Sequence, residues 1–171
     1  MNIRLLEQED CLIFKALRLE ALRQHPEAFG SSFEEESAMS DVEFLDGFKK
    51  SDIFGAFVEN QLVGCAGFFV QSPLKMRHRG VLFSMYIKPA FRKNGIGDAL
   101  VKAVISHAKN KVTQLHATVV TTNQVALNLY EKNGFKIYGT EPRSLKIGDE
   151  FYDEYLLVLE CLGGRRNIGD E

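Results

Sequence analysis

The residues with the strongest case for chemistry begin at Arg92. The stretch Arg92-Lys93-Asn94-Gly95-Ile96-Gly97-Asp98 follows the apolar run "VLFSMYIKP" and precedes residues at helical spacing. The first N–H groups of a helix lack intrahelical partners, and the helix dipole adds partial positive charge there. Glycines at 95 and 97 admit a ligand close to the main chain and permit positive φ. Such a turn suits a phosphate. The two glycines alone fit an ordinary tight turn equally well. A P-loop would need Gly-Lys-Ser/Thr, but Gly97 is followed by Asp98 and Ala99. A dinucleotide turn would need a small residue where Leu100 stands.

A second stretch, "NQVALNLYEKNGF", runs from Asn123 to Phe135. Asn123 and Gly134 have the residue types of a helix N-cap and C-cap. Tyr130 between them is either a core tyrosine or a hydroxyl donor. Together the two stretches resemble the GNAT superfamily of N-acetyltransferases. The first matches R/Q-x-x-G-x-G/A. The second matches N-x-x-A-x-x-L-Y-x-x-x-G-F at Asn123, Ala126, Leu129, Tyr130, Gly134 and Phe135. The resemblance spans roughly residues 52–160, and the order of elements before it agrees.

The resemblance implies acetyl-CoA as co-substrate, with its pyrophosphate cradled by the backbone from Arg92 to Asp98. The Arg92 and Lys93 side chains either add charge there or are solvated surface cations. Met85, Tyr86 and Ile87 would form the strand segment whose main chain pairs with the pantetheine arm, as in β-augmentation. A bulge in that strand is expected from the family alone. Tyr130 would support the leaving thiolate, and a backbone N–H near Met85 the oxyanion. Asn123 would bind the arm, cap a helix, or both. Lys132 would approach the phosphates or stay an exposed helix lysine.

An acetyl thioester is already activated, so direct attack needs alignment, an oxyanion donor, a neutral amine and support for the thiolate. Full proton transfer from a tyrosine to a thiolate is uphill by about 1.5 pKa units, or about 2 kcal/mol, so a hydrogen bond is the easier role. A lysine-like amine costs about 4.6 kcal/mol to deprotonate at pH 7, against about 1.4 for an α-amine. Many family members carry a Glu in the strand before the glycine turn. "VLFSMYI" has no acid. The base candidates are Glu34, Glu35, Glu36, Glu150, Asp153 and Glu154. Alternation in "EFYDEYLLVL" puts Asp153 beside Phe151, Tyr155 and Leu157, where it is a perturbed base or a satisfied structural carboxylate.

These residues need a scaffold. The run of elements reads β-α-(α)-β-β-β-α-β-α-β-β, a single α+β domain over residues 1–162 with a disordered tail at 163–171. About seven strands form a central, mostly antiparallel mixed sheet flanked by helices. It should be splayed at a parallel pair within residues 81–121, joined by a crossover. Leu12, Ala16, Leu19 and Leu22 form the expected apolar stripe of the first helix. Ser31 or Ser32 and Asp41 are the expected caps of two shorter helices. The acceptor should lie between residues 28–48 and the last hairpin. Phe29, Phe33, Phe44 and Phe48 there read as core or as pocket lining.

Composition narrows the function classes. With 171 residues, 45% hydrophobic and a net charge of −2, the chain can bury a full core and offers no electrostatic case for nucleic acid. Three separated cysteines read as buried thiols in a reducing compartment. The four histidines have no metal-ligand spacing, so no metal is expected. No apolar run reaches membrane-spanning length, and a cytoplasmic setting is the default expectation. Homodimerisation is left open. The leading reading is an N-acetyltransferase acting on a primary amine of a small molecule, amino acid derivative or peptide. The competing one is a non-catalytic acyl-CoA-binding or sensor domain.

Overall fold

The computed structural model describes residues 1–161. The expected end of the domain at residue 162 and the tail at 163–171 lie outside them. The chain runs β1 (Asn2–Leu5), α1 (Cys11–Gln24), α2 (Phe33–Ser37), α3 (Asp41–Phe48), β2 (Asp52–Val58), β3 (Gln61–Val70), β4 (Arg79–Ile87), α4 (Ile96–Ala108), β5 (Gln114–Val120), α5 (Gln124–Lys132), β6 (Lys136–Ile147) and β7 (Glu150–Glu160). The seven strands form one sheet in the order β1-β2-β3-β4-β5-β7-β6. Among the described residues only β4 and β5 are parallel, and every other pair is antiparallel. This is the mixed, mostly antiparallel sheet that the pattern of elements implies.

Local chemistry sets the ends of these elements. Glu59 and Asn60 take positive φ, 48° and 65°, as a two-residue hairpin turn between β2 and β3 requires. Ser32 caps α2 by accepting from Glu35 N at 3.1 Å. The cap of α3 is Ser40, one residue before the expected Asp41. Ser40 and Glu43 make a reciprocal capping box, leaving Asp41 inside the first turn.

Helices cover both faces of the sheet. On one, α4 and α5 pack Leu100, Val101, Val104 and Leu127 against Ala66, Leu82, Leu115 and Leu157. On the other, α1 and α3 pack Phe14, Leu17, Ala21 and Phe44 against Ile53, Cys65 and Tyr86. The buried face of α1 is Cys11, Phe14, Leu17, Arg18, Ala21 and Leu22. The expected stripe is therefore corrected: Leu12 is 61% exposed and Ala16 is exposed. Phe14 wins that face because it stacks with Phe44 and Phe48.

Two irregularities in β4 shape the molecule. The register with β3 passes from Cys65↔Tyr86 to Gly67↔Phe83, so Ala66 faces both Ser84 and Met85. That is a β-bulge, and Ser84 takes φ 56° in it. The bulge resets the alternation. Leu82, Met85 and Ile87 pack on the α4 side, while Phe83 and Tyr86 pack on the α1 side. The second irregularity is the short pairing with β5, which stops after Val81↔His116. β5 stays bonded to β7 as far as Val120↔Glu154. Beyond Val81 the β5-facing edge of β4 therefore has no strand partner among the described residues.

Candidate active site

The splay of β4 and β5 opens a cleft of about 500 Å³. Met85, Ala117, Val119, Asn123, Ala126 and Tyr130 line it on the α4–α5 side. Arg18, residues 28–31, Ser84, His116, Tyr138 and Glu154 line it on the α1 side. The cleft thus passes between the strands and is lined from both faces of the sheet.

Tyr130 is 5% exposed and packs its ring 5.5 Å from Phe135. Burial pushes its phenol well above the ordinary value, so it stays protonated at neutral pH. No described residue hydrogen-bonds its hydroxyl, and because no buried side-chain polar atom of the described residues is left without a partner, that oxygen is open to the cleft that the residue lines. Asn123 caps α5, its Oδ1 accepting from Ala126 N at 3.1 Å. That leaves its Nδ2 donors without a partner among the described residues.

The bulge is held from two sides. Arg18 Nη1 donates to Ser84 Oγ at 3.0 Å, and Cys65 Sγ donates to the Ser84 carbonyl at 3.2 Å. Burial raises the Cys65 thiol to about 12, so it serves as a donor and not as a nucleophile. Arg18 also grips Glu36 through Nε and Nη2, at 3.1 Å and 2.9 Å, and lies over the Phe29 ring at 5.1 Å. A left-handed serine costs about 1 kcal/mol. A charge-assisted hydrogen bond of about 1.5–3 kcal/mol offsets that.

The glycine turn abuts the cleft at Met85. A Cβ on Gly97 would lie 3.4 Å from Met85 Cε and 3.2 Å from both Ile87 Cδ1 and Leu129 Cδ2. Gly95 is the N-cap of α4 at φ 76°, Lys93 precedes it at φ 65°, and Lys93 and Asn94 are exposed. Ile96 is buried beneath the turn. The Arg92 side chain folds back: its Nε donates to Ile87 O at 2.9 Å and its Nη2 meets His25 Nε2 at 3.1 Å. Asp98 accepts from Lys102 at 2.6 Å and Asn133 at 3.0 Å, which hold its carboxyl down at about 2. Lys132 sits 3.5 Å from the same carboxylate. Tyr86 lies apart from the cleft lining, its hydroxyl 2.9 Å from Glu20 and 3.1 Å from Gln24. Of the expected site residues, the cleft thus brings together Met85, Asn123 and Tyr130, with the 92–98 turn beside them.

The carboxylates sort by position. Glu36 is tied up by Arg18. Glu150 accepts from the Tyr152 hydroxyl. Asp153 is exposed and accepts from Arg143 N at 2.7 Å, so it is the structural carboxylate of the two readings. Glu154 lines the cleft, with Ser144 donating to it. Sequence reasoning missed the Arg18–Glu36–Ser84 group and the pair Arg79 and His116. Arg18 did leave a signal: it stands four residues after Phe14 and four before Leu22 on the buried face, where a charge needs a partner.

The acetyltransferase (GNAT) family model matches residues 15–135, well over half of the chain. The chain belongs to the GNAT family. Acetyltransferase PseH of Campylobacter jejuni is 31% identical over 156 residues, covering 90% of this chain and 89% of that protein. A GNAT acetyltransferase structure from Streptococcus pneumoniae superposes with a TM-score of 0.82 at 25% identity, over 93% of this chain and 98% of that one. The yncA structure from Salmonella typhimurium, a putative acetyltransferase solved with acetyl-CoA, has a TM-score of 0.84 at 18% identity, over 99% and 98%. The protein is thus an acetyl-CoA-dependent N-acetyltransferase of the GNAT fold, and the sensor reading falls away. Among the described residues no helix is long and apolar enough to cross a membrane, and no cluster of metal-ligating side chains occurs.

Proposed function

We propose that this GNAT enzyme moves the acetyl group directly to a primary amine that enters the cleft from the α1 side. The observation that carries the reading is the splay itself. The bulged β4 edge, the Tyr130 hydroxyl, which no described residue hydrogen-bonds, and the Glu154 carboxylate all meet one cleft lined from both faces of the sheet. The free edge of β4 around Met85, Tyr86 and Ile87 suits the amides of an extended pantetheine arm. Asn123 adds donors along the same side. Backbone N–H groups from Arg92 to Asp98 receive the pyrophosphate. Arg92 supplies backbone there, since its guanidinium is engaged at Ile87 and His25.

Glu154 takes the proton from the acceptor amine. The amine nitrogen bonds to the thioester carbon, and the N–H at Met85 steadies the developing oxyanion. The C–S bond breaks with its electron pair on sulfur. Tyr130 donates a hydrogen bond to the thiolate, and its raised pKa makes that role easier than outright proton transfer. Amide and CoA leave in equal amounts. The acceptor is a small molecule, an amino acid derivative or a peptide.

The test is to incubate the protein with labelled acetyl-CoA, first alone and then with a panel of primary amines. The expected result is no label retained on the protein, and one CoA thiol released per amide formed once a suitable amine is added. Stoichiometric label on the protein, chased into the amine, would replace direct transfer with an acetyl-enzyme route.

A further inference from the structure

We propose that the α1 side of the cleft holds an anion subsite at Arg79 and His116, and that the natural acceptor is an amine carrying a carboxylate or phosphate about 10–13 Å from its nitrogen. This rests on the acetyltransferase reading of the same cleft.

Arg79 lines the cleft and is half-buried. No carboxylate of the described residues forms an ion pair with it. Its only hydrogen bond among them goes from Nε to His116 Nε2, at 3.2 Å. A guanidinium cannot give up its charge and only donates, so in this contact the imidazole nitrogen accepts; the same nitrogen also lies 3.2 Å from Gln114 Oε1. The remaining ring proton then sits on Nδ1, 3.5 Å from the Tyr138 hydroxyl. Burial and the neighbouring Arg79 lower the His116 pKa, which keeps the ring neutral. Glu160 accepts from Gln114 and lies outside the cleft lining. The other cleft arginine, Arg18, is neutralised by Glu36. Among the described residues Arg79 is therefore the cleft arginine that forms no ion pair, and a half-buried cation favours a bound anion.

Its place in the cleft gives a length. His116 stands opposite Val81, the last paired residue of β4, and Arg79 is held at that level by its bond to the ring. Ser84 of the bulge lies three residues further on, about 10 Å at ~3.3 Å per residue. Glu154 is opposite Val120, whereas His116 is opposite Val158, so Glu154 stands four residues from the His116 level along the cleft wall, about 13 Å at ~3.3 Å per residue, and the bulge and this carboxylate bracket the place of the amine. A cation at one end and a carboxylate at the other match a molecule with its anion and amine at opposite ends. The amine and carboxylate of a simple α-amino acid, separated by a single carbon, are too close to reach both ends.

The test compares ω-aminocarboxylates and ω-aminoalkyl phosphates of graded chain length with alkylamines of the same lengths. For wild type, kcat/KM should peak for anionic amines near the 10–13 Å separation, about tenfold or more above the neutral amine of equal length. The arm with the higher peak identifies carboxylate or phosphate as the native group. In Arg79→Gln the ratio of anionic to neutral amines should collapse toward one, and in Arg79→Lys most of it should remain. Neutral amines acetylated as well as anionic ones by wild type, or a ratio preserved in Arg79→Gln, would overturn the subsite and leave the acetyltransferase reading standing. If no amine of any series is acetylated, that reading fails and takes the subsite with it.

Discussion

Tyr130 sits in the core by burial and at the cleft by position, and its hydroxyl separates the two roles. The phenol is fully protonated at neutral pH, and among the described residues nothing else accepts its hydrogen bond. A partner that appears only when the thiolate forms would stabilise the transition state selectively. Tyr130→Phe keeps the ring packed against Phe135, so the fold should persist. We expect kcat to fall by ~10- to 1000-fold, with acetyl-CoA affinity unchanged. Steady-state kinetics with a working amine, and calorimetry with acetyl-CoA, measure the two. Full activity in the variant would return Tyr130 to a purely structural role. The residue itself was readable, because its spacing from Asn123 and Gly134 is contiguous in the chain. Arg79 and His116 were not: they are 37 residues apart, and only the parallel register of β4 and β5 puts them side by side.

The two glycines before α4 do different work. Gly97 is a contact position, where any side chain meets Ile87 and Leu129. A bulky substitution there strains the packing of α4 against β4 and α5 and tests stability more than binding. Gly95 has open space around it and needs only its positive φ of 76°. Asn and Asp tolerate that conformation. Gly95→Asn and Gly95→Asp should therefore fold alike, and only Asp brings a negative charge to the turn. We expect Gly95→Asp to bind CoA about tenfold more weakly than Gly95→Asn, with the gap closing at high salt. Equal affinities at low salt would make the turn an ordinary one. At this scale the chain was legible wherever a local rule decides: the helix caps at Ser32 and Asn123. It was not legible where tertiary contacts decide. The buried face of α1 is chosen by Phe14 meeting α3, and the bulge at Ser84 is fixed by Arg18 from another layer. Within "VLFSMYI", Ser84 was the one polar residue in an apolar run, a mark of the bulge that alternation alone did not explain.

Across the whole molecule, one sheet carries two separate cores, and the cleft is the place where its two faces communicate. That through-passage gives the donor and the acceptor separate doors. Neither needs to leave before the other enters, so catalysis should run through a ternary complex. Double-reciprocal plots against one substrate, at several fixed levels of the other, should intersect. Desulfo-CoA, unable to give up an acetyl group, should compete with acetyl-CoA and show mixed or noncompetitive inhibition against the amine. Parallel lines would mean that the two substrates take turns at a single entrance.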